Sequence, residues 1–246
     1  MKKLNFIIKC GLALLLLSFY SCESWLNVTP SDRLSEEMLF NDREGFVKAL
    51  NGVYIELNTN ELYGRNLTAG ALDVMGQYYS VASSSHAFYN YGGLVYTGND
   101  EKALFDNMWQ KCYAVIACCN TIIEKCDENK AGLSPVWRGS IKGEALALRA
   151  MLHFDMLRLF GPLTSELDKE SIPYQTNSDQ TVTPLLSGSE VVGLILDDLK
   201  NAVGLLKDTD PYFVEEEFSD TDLNYRRFRM NYFAAKGLMA RVQLWG

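Results

Sequence analysis

The most informative stretch of this sequence is GEALALRAMLHFDMLRLFGPL, residues 143–163, where apolar side chains return every three or four residues. That spacing places them on one face of an α-helix. Gly161 and Pro162 end the pattern, because glycine commonly follows the last residue of a helix and proline cannot continue one. We therefore predict a helix over residues 140–160. Its apolar face consists of Ile141, Ala145, Leu148, Leu152, Met156 and Leu159.

Four other segments show the same spacing. Two of them begin with a residue that can cap a helix and that is followed three positions later by Glu: Asn41 with Glu44, and Ser187 with Glu190. The last segment, about 229–245, is apolar on most faces, which predicts a buried helix. The stripes of the others are Phe46, Leu50, Val53 and Leu57; Leu104, Met108, Cys112, Val115, Cys119, Ile122 and Cys126; and Val191, Ile195, Leu199, Ala202 and Leu206.

These segments predict an all-α fold of tetratricopeptide-like antiparallel helix pairs, in which each pair buries its apolar stripe against the next. Three stretches without helical period separate them, and we predict long irregular loops at 61–100, 164–187 and 207–227. Long excursions from a compact domain are usually functional. Residues 61–100, which are rich in glycine, serine and aromatic residues, are therefore the first candidate for a binding region.

The cysteine spacing argues against disulfides. Cys112, Cys119 and Cys126 recur every seven residues, so neighbours on a helix lie about 10.5 Å apart, whereas a disulfide needs its Cα atoms within about 7 Å. We predict that these cysteines are small buried hydrophobic residues. No histidine is placed to complete a zinc site with them, and we expect no metal and no cofactor.

Residues 1–21 are predicted to be a lipoprotein signal peptide. Three lysines precede an apolar run that is shorter than the roughly 20 residues needed to cross a bilayer. Ser21 then precedes Cys22, which favours cleavage that leaves Cys22 as the lipidated first residue of a helical domain, 22–246. The alternative is ordinary signal-peptidase cleavage nearby, with Cys22 as a free thiol.

Charge and composition exclude some functional classes. The formal net charge is -8, and removal of the three lysines of residues 1–21 lowers it to -11. Nucleic acid binding needs a clustered basic surface, so this balance disfavours it. The chain has two histidines and none of the fingerprints of hydrolases, metalloproteases or nucleotide-binding enzymes. We expect a protein that is not an enzyme.

Five segments in a fixed order carry a family resemblance. The strongest is residues 143–163, where Gly143, Glu144, Arg149 and Phe154 are among the matching positions. In this order the chain resembles the SusD/RagB family, the surface nutrient-binding lipoproteins of Bacteroidetes. The five segments are WLNVTPSDRLSEEMLFNDREGFVKALNGVYIEL (25–57), GEALALRAMLHFDMLRLFGPL (143–163), Ile172-Pro173, ILDDLKNAVGLL (195–206) and AAKGLMARVQLW (234–245).

The resemblance implies a helical, lipid-anchored protein on the surface of the bacterial outer membrane, partnered with a SusC-like TonB-dependent transporter. It implies capture of an oligosaccharide for uptake, and it also permits peptides or another nutrient as cargo. A further alternative is a helical-repeat scaffold that binds only protein partners. Family members usually continue well beyond residue 246, so we expect this chain to be the N-terminal portion of the family fold.

Family binding sites hold the apolar face of a sugar against aromatic rings, while polar groups bond to its hydroxyls. Six of the 13 tyrosines lie in residues 61–100. For any one of these tyrosines, packing beneath the loop as a small core is an equally strong expectation. The candidate ligand-binding residues are Tyr78, Tyr79, His86, Tyr89, Asn90, Tyr91 and Tyr96.

Two charged groups of residues are assigned structural roles. Glu144 and Arg149 lie within an apolar helix, about 140° apart around it, so we expect each to pair with a neighbouring helix or loop. Asp220, Asp222 and Asn224 resemble the start of a calcium loop, but the required glycine is missing. We predict a polar turn there.

Overall fold

A computed structural model describes residues 36–179 and 181–246 of the chain. The chain divides into two compact units, Met1–Met38 and Leu39–Gly246. Of the first unit only residues 36–38 are described. The fold described below is that of the second unit, except that the first short helix, Glu36–Leu39, includes residues 36–38 of the first.

Two sequence-based predictions lie outside the described residues: the signal peptide, 1–21, and the lipidation of Cys22. Within the described part of the chain, no helix is both long enough and apolar enough to cross a lipid bilayer.

The described chain is all-α, which confirms the predicted fold class. Its extended backbone forms no strand within the described ranges and pairs only at an isolated antiparallel bridge between Glu170 and Ser187. The helices are α1 Glu36–Leu39, α2 Arg43–Leu57, α3 Ala71–Met75, α4 Tyr89–Gly92, α5 Asn99–Glu128, α6 Pro135–Phe160, α7 Gly188–Thr209, α8 Asp220–Arg226 and α9 Tyr232–Trp245. Thr164–Glu166 and Glu215–Glu217 form single turns of 3-10 helix.

Helices α5 and α6 form an antiparallel pair. Cys112 Sγ donates to Leu152 O near one end of the contact, at 3.9 Å. At the other end Lys142 pairs with Asp127. The residue numbers rise along one helix as they fall along the other, which is the arrangement predicted for tetratricopeptide-like pairs.

Helices α6 and α7 also run antiparallel, and glycine allows them to approach closely. A Cβ atom on Gly139 would lie 2.6 Å from Thr209 Cγ2, and one on Gly143 would lie 2.8 Å from Leu206 Cγ. Both distances are below normal contact, so only glycine fits at these two positions of α6. The next pair, α7 and α9, is tied at one end by Tyr232 N, which donates to Asp210 Oδ2 at 2.8 Å.

The three cysteines spaced by seven lie in the core as predicted. Cys112, Cys119 and Cys126 are fully buried and carry free thiols. Burial raises the pKa of each thiol, that of Cys126 to about 12. They are therefore neutral packing groups on the face of α5.

The predicted helix starts are confirmed at α7 and shifted at α2. At α7, Glu190 N donates to Ser187 Oγ (3.3 Å) and Ser187 N donates to Glu190 Oε2 (2.8 Å), which completes the capping box. At α2 the capping residue is Asp42 rather than Asn41, because the Asp42 carboxylate accepts from Gly45 N at 2.8 Å. Asp and Asn cap equally well, so composition does not distinguish two adjacent candidates.

The prediction of a loop over residues 207–227 was wrong. Helix α7 extends to Thr209, and α8 occupies Asp220–Arg226. Asp222 belongs to a capping box rather than to a polar turn, since its carboxylate accepts from Ser219 N at 3.2 Å. Helix α8 is only two turns long, too short for its apolar spacing to reveal it.

The prediction that the last helix is buried on most faces was also wrong. Only Ala235, Leu238 and Val242 of α9 are buried. Phe233 is 58% exposed and Leu244 is 89% exposed. An apolar composition shows that several faces of a helix could be buried. In α9 only one of these faces is covered by the described chain.

Candidate functional site

The segment between α2 and α5, residues 61–98, is called here the excursion. It is irregular as predicted but contains two short helices, α3 and α4, that pack together. Gln77 Nε2 donates to Gly92 O at 2.9 Å, and a Cβ on Gly92 would lie 3.4 Å from Val74 Cγ1. Gln77 and Leu94 adopt left-handed backbone conformations, with φ of 60° and 55°. Such conformations persist when surrounding contacts fix them, so the excursion has a defined shape.

The buried ring of Tyr91 packs the excursion against helix α5. It is 2% exposed, and its ring centroid lies 6.0 Å from that of Phe105 on α5 and 5.8 Å from that of Phe88. Tyr96 packs edge-on against the same Phe105 ring, at 5.4 Å. Burial, with the nearby Glu101 carboxylate, raises the pKa of Tyr91 to about 12. Tyr91 therefore presents no face to a ligand, and the expectation that some tyrosines form a core under the excursion holds for it.

Three predicted tyrosines expose their rings on the excursion. Tyr78 is 82% exposed, Tyr79 44% and Tyr89 41%. The Tyr79 hydroxyl donates to the carbonyl oxygen of Ala69, which fixes that ring in place. Within the described chain the Tyr78 and Tyr89 hydroxyls have no hydrogen-bond partner. A ring with one covered edge and an open face is suited to stacking against an apolar surface.

His86 and Asn90 are also exposed, and each makes a local bond. Phe88 N donates to His86 Nδ1 at 3.1 Å, so in the neutral ring the proton is on Nε2, where it is a donor. Asn90 Nδ2 donates to Glu101 Oε1 at 2.7 Å, which ties the excursion to the first turn of α5. That bond is the main reason that the pKa of Glu101 is lowered. The side-chain oxygen Oδ1 of Asn90 is not used in this bond, whereas its backbone oxygen accepts from Val95 N at 2.9 Å.

Sequence reasoning missed two apolar residues of this surface. Leu94 is 59% exposed and Val95 is 48% exposed, directly after the turn that follows α4. It also missed Arg65, whose guanidinium lies 5.8 Å from the centroid of the Phe88 ring. No spacing or motif in the sequence identifies these residues as exposed, because their exposure depends on the tertiary contacts of Tyr91.

The opposite end of the excursion is joined to α6. The Tyr63 hydroxyl donates to Asp155 Oδ2 at 2.7 Å, and Arg158 pairs with the other oxygen of that carboxylate at 3.2 Å. With the Tyr91 and Asn90 contacts, this gives three separate attachments between the excursion and the long helices. The exposed rings therefore stand on a supported backbone.

A buried ionic network joins α6 to the chain around α8, as predicted for Glu144. Arg226 donates to Glu144 Oε2 and, at 2.6 Å, to Asp210 Oδ2. Arg229 donates to Glu144 Oε1 at 2.7 Å, and the Tyr54 hydroxyl donates to the same oxygen. Burial opposes ionisation of Glu144, but the two guanidinium groups hold its pKa below the ordinary value. The network is a structural one, with each charge neutralised inside it.

A second buried network centres on Arg149, also as predicted. Its guanidinium makes two bonds of 2.7 Å to the carboxylate of Asp198 on α7. It also donates to Asn120 Oδ1 on α5 at 2.8 Å, and the Tyr174 hydroxyl donates to Asp198 Oδ2. The Arg149 side chain and its partners therefore connect α5, α6 and α7 to Tyr174, in the segment that follows α6.

His153 lies beside this second network and is neutral. Gln175 N donates to His153 Nε2 at 3.0 Å, so the ring proton is on Nδ1, which donates to Arg149 O at 2.9 Å. Its ring stacks on that of Tyr174, with centroids 3.9 Å apart. Burial, with the positive charge of Arg149, lowers the pKa of His153 to about 3. The residue packs in the interior of the protein.

Comparison with known proteins places the chain in a family. The model of a SusD-like family, described as "Starch-binding associating with outer membrane", matches residues 24–244. A SusD-like protein of Formosa agariphila is 27% identical over 199 residues, which cover 74% of this chain and 34% of that protein. A SusD-like protein of Bacteroides ovatus is 30% identical over 146 residues, covering 58% of this chain and 23% of that protein.

Solved structures show the same fold. The crystal structure of a SusD-like carbohydrate binding protein from Bacteroides vulgatus superposes with a TM-score of 0.65 at 24% identity, covering 83% of this chain and 42% of that one. The chain thus spans less than half the length of the relatives that it matches. With the family model matching nearly the whole chain and the helical fold shared, this chain belongs to the SusD-like family.

Proposed function

We propose that this chain is the helical portion of a non-catalytic surface lipoprotein that captures oligosaccharides and passes them to a SusC-like TonB-dependent transporter. The family description, starch binding in association with the outer membrane, supports the cargo class and the location. In this proposal Cys22 carries the lipid anchor after removal of residues 1–21.

The observation that carries the proposal is the set of exposed rings on the anchored excursion. Tyr78, Tyr79 and Tyr89 offer open faces, and His86 Nε2 and the side-chain oxygen Oδ1 of Asn90 offer hydrogen bonds on the same excursion. Flat rings beside a few polar groups match the two surfaces of a sugar. Because the backbone beneath is fixed, little ordering of the protein is required when a ligand binds.

The expected affinity is weak. A half-covered tyrosine ring removes roughly 100 Å² from water, which stabilises the complex by about 2–3 kcal/mol. Two such rings contribute about 4–6 kcal/mol, so after the cost of ordering the sugar the dissociation constant is about millimolar. Weak capture is sufficient for a binder held over a pore, because tethering raises the ligand concentration that the transporter meets.

Affinity electrophoresis against a glycan panel tests the proposal. We expect the full chain to be retarded by at least one glycan, and we expect Tyr78→Ala and Tyr89→Ala each to weaken that binding about tenfold or more. Tyr225→Ala is the matched control, since Tyr225 is 62% exposed but lies on α8. The control should bind like the unaltered chain.

Three results would refute the proposal or part of it. Absence of binding to every glycan removes the sugar as cargo, and binding of peptide mixtures alone would select the peptide alternative. Equal loss of binding in the Tyr225→Ala control would remove the excursion as the site. Cleavage of a bound glycan by the purified chain would contradict a non-catalytic role.

A further inference from the structure

A cavity of about 290 Å³ lies between α2, α6 and α8, and none of the residues that line it belongs to the excursion. Its walls combine apolar side chains, aromatic rings and a few polar groups, a composition typical of small-molecule sites. The apolar and aromatic part of the lining includes Val47, Leu50, Ile141, Trp137, Phe218 and Tyr225.

The hydroxyl group of Ser140 opens into this cavity without a protein partner. Ser140 lines the cavity and is only 5% exposed, yet its Oγ atom forms no hydrogen bond with a described residue. In the described part of the chain, every side-chain oxygen or nitrogen that is fully shielded from solvent has a partner. Ser140 Oγ is therefore not fully shielded, and the cavity is the space that it borders. A ligand atom that enters can bond to it.

Other hydroxyl groups within the long helices are used differently. Thr121 Oγ1 on α5 donates to Ala117 O at 3.1 Å, and Thr209 Oγ1 on α7 donates to Leu205 O at 2.9 Å. A bond to the carbonyl oxygen four residues earlier is the common arrangement for a hydroxyl in a helix. Ser140 does not make it, so its donor and acceptor capacity remains available.

Trp137, one turn before Ser140 on α6, offers a second donor. It is 8% exposed, and its indole Nε1 bonds to no described residue, although its backbone N donates to Ser134 Oγ. The ring is held by Phe218, with centroids 4.4 Å apart, and by the Arg43 guanidinium, 4.8 Å from the ring centroid. Residues three apart on a helix are neighbours on its surface, so two nearly buried neutral donors line the same wall.

The charged residues that line the cavity are already paired. Glu144 accepts from Arg226 and Arg229, and Asp222 accepts from Ser219 N at 3.2 Å. The two carboxylates and the two guanidinium groups of the lining balance each other. An anion or a cation entering the cavity would lose its hydration without gaining an unpaired opposite charge.

We propose that this cavity binds a small neutral molecule that has an apolar body and one oxygen acceptor, which receives hydrogen bonds from Ser140 Oγ and Trp137 Nε1. A volume of about 290 Å³ is at the lower end of the range of ligand pockets, so the ligand is no larger than about one substituted ring. A sugar is excluded from this site because the hydroxyl groups around its edge would meet apolar walls. The inference does not depend on glycan binding by the excursion.

Four probes that share one ring test the chemistry of the ligand: benzyl alcohol, toluene, benzoate and benzylamine. We monitor the indole N–H signals of the full chain by NMR during titration with each probe. We expect benzyl alcohol to shift the Trp137 signal with a dissociation constant of about millimolar, and to bind about threefold or more tighter than the other three probes. The signals of Trp109 and Trp245, which do not line the cavity, should stay in place.

The Ser140→Ala variant tests the hydrogen bond. The hydroxyl has no protein partner, so its removal should leave the fold intact, weaken benzyl alcohol binding about threefold or more and leave toluene binding unchanged. Ser80→Ala is the matched control, since Ser80 is an exposed serine of the excursion. Ser80→Ala and Tyr78→Ala should both bind benzyl alcohol like the unaltered chain, which separates this site from the glycan surface.

Three results would overturn the proposal. The first is a Trp137 signal that does not move with benzyl alcohol. The second is equal or tighter binding of benzoate or benzylamine, which would show that the cavity selects a charge. The third is undiminished benzyl alcohol binding by Ser140→Ala.

Discussion

At the scale of single residues, the interior of this protein is held by matched charges. Arg226 lies between Glu144 and Asp210, and its side chain is 3% exposed. In the described residues, every buried side-chain nitrogen and oxygen has a hydrogen-bond partner. The network stabilises the fold only while all its members are present, because a buried charge without a partner costs far more free energy of folding than a buried ion pair.

Replacing Arg226 with Ala should destabilise the fold by about 3–5 kcal/mol, since Glu144 and Asp210 would remain buried with less compensation. Urea denaturation of the purified chain measures this change. Lys48→Ala is the control: its pair with Glu44 is exposed, and its loss should leave the stability nearly unchanged. A cost below about 1 kcal/mol for Arg226→Ala would show that the network contributes little.

His153 should make stability depend on pH. Its folded pKa of about 3 is far below the ordinary value of 6.5, so between these values the unfolded chain binds the proton and the folded chain does not. Stability from this group is complete above pH 6.5 and falls as the pH is lowered, by about 2 kcal/mol between pH 7 and pH 5. Denaturation at several pH values measures this slope.

Two variants separate His153 from the carboxylates that also titrate in acid. His153→Gln should flatten the slope between pH 7 and pH 5, while His86→Gln, which changes the other, exposed histidine, should preserve it. An unchanged slope in His153→Gln would contradict the assignment. So would NMR signals showing that the His153 ring gains a proton between pH 7 and pH 5 in the folded chain.

The sequence predicted that some of these residues have buried partners, but it did not identify the partners. The need of Glu144 and Arg149 for partners followed from their place in an apolar helix, but Asp210 and Asp198 are 66 and 49 positions away along the chain. Likewise Tyr78 and Tyr91 lie in the same aromatic stretch, yet one ring is exposed and the other buried. Burial in an irregular segment is decided by tertiary contacts that composition does not encode.

At the scale of helices, the close approach of α6 and α7 depends on glycine. Gly143→Ala should destabilise the protein by about 1–3 kcal/mol, because the new Cβ would lie 2.8 Å from Leu206 Cγ and 3.3 Å from Ala202 O. Gly204→Ala on α7 is the control, with nothing within 4 Å of its Cβ position. It should stabilise the helix by about 0.5–1 kcal/mol. Thermal unfolding of both variants checks the opposite signs.

A gain in stability for Gly143→Ala would mean that α6 and α7 are farther apart than described. A loss for Gly204→Ala would mean that its exposed position has a contact that the fold does not show.

The long helices were predictable, and the short ones were not. Helices α5, α6 and α7 carry apolar stripes over five turns or more, and their periodicity identified them. Helices α3, α4 and α8 have seven residues or fewer, too few to show a period. For α9 the helix was predicted correctly and its environment was not, because periodicity does not show which apolar face is covered.

At the scale of the whole unit, three antiparallel helices support two distinct surfaces. The excursion is attached to α5 and α6 through Tyr91, Asn90 and Tyr63, and it exposes rings without losing its shape. Helix α9 packs on α7 and exposes an apolar face.

The most direct test of the account is an NMR titration of the chain with labelled tyrosine rings, using oligosaccharides in turn and starting with starch fragments. We predict that the signals of Tyr78 and Tyr89 shift with at least one sugar while those of Tyr91 and Tyr225 do not, because only the first two expose their rings on the excursion. Shifts confined to tyrosines outside the excursion, or no shift with any sugar, would contradict the account.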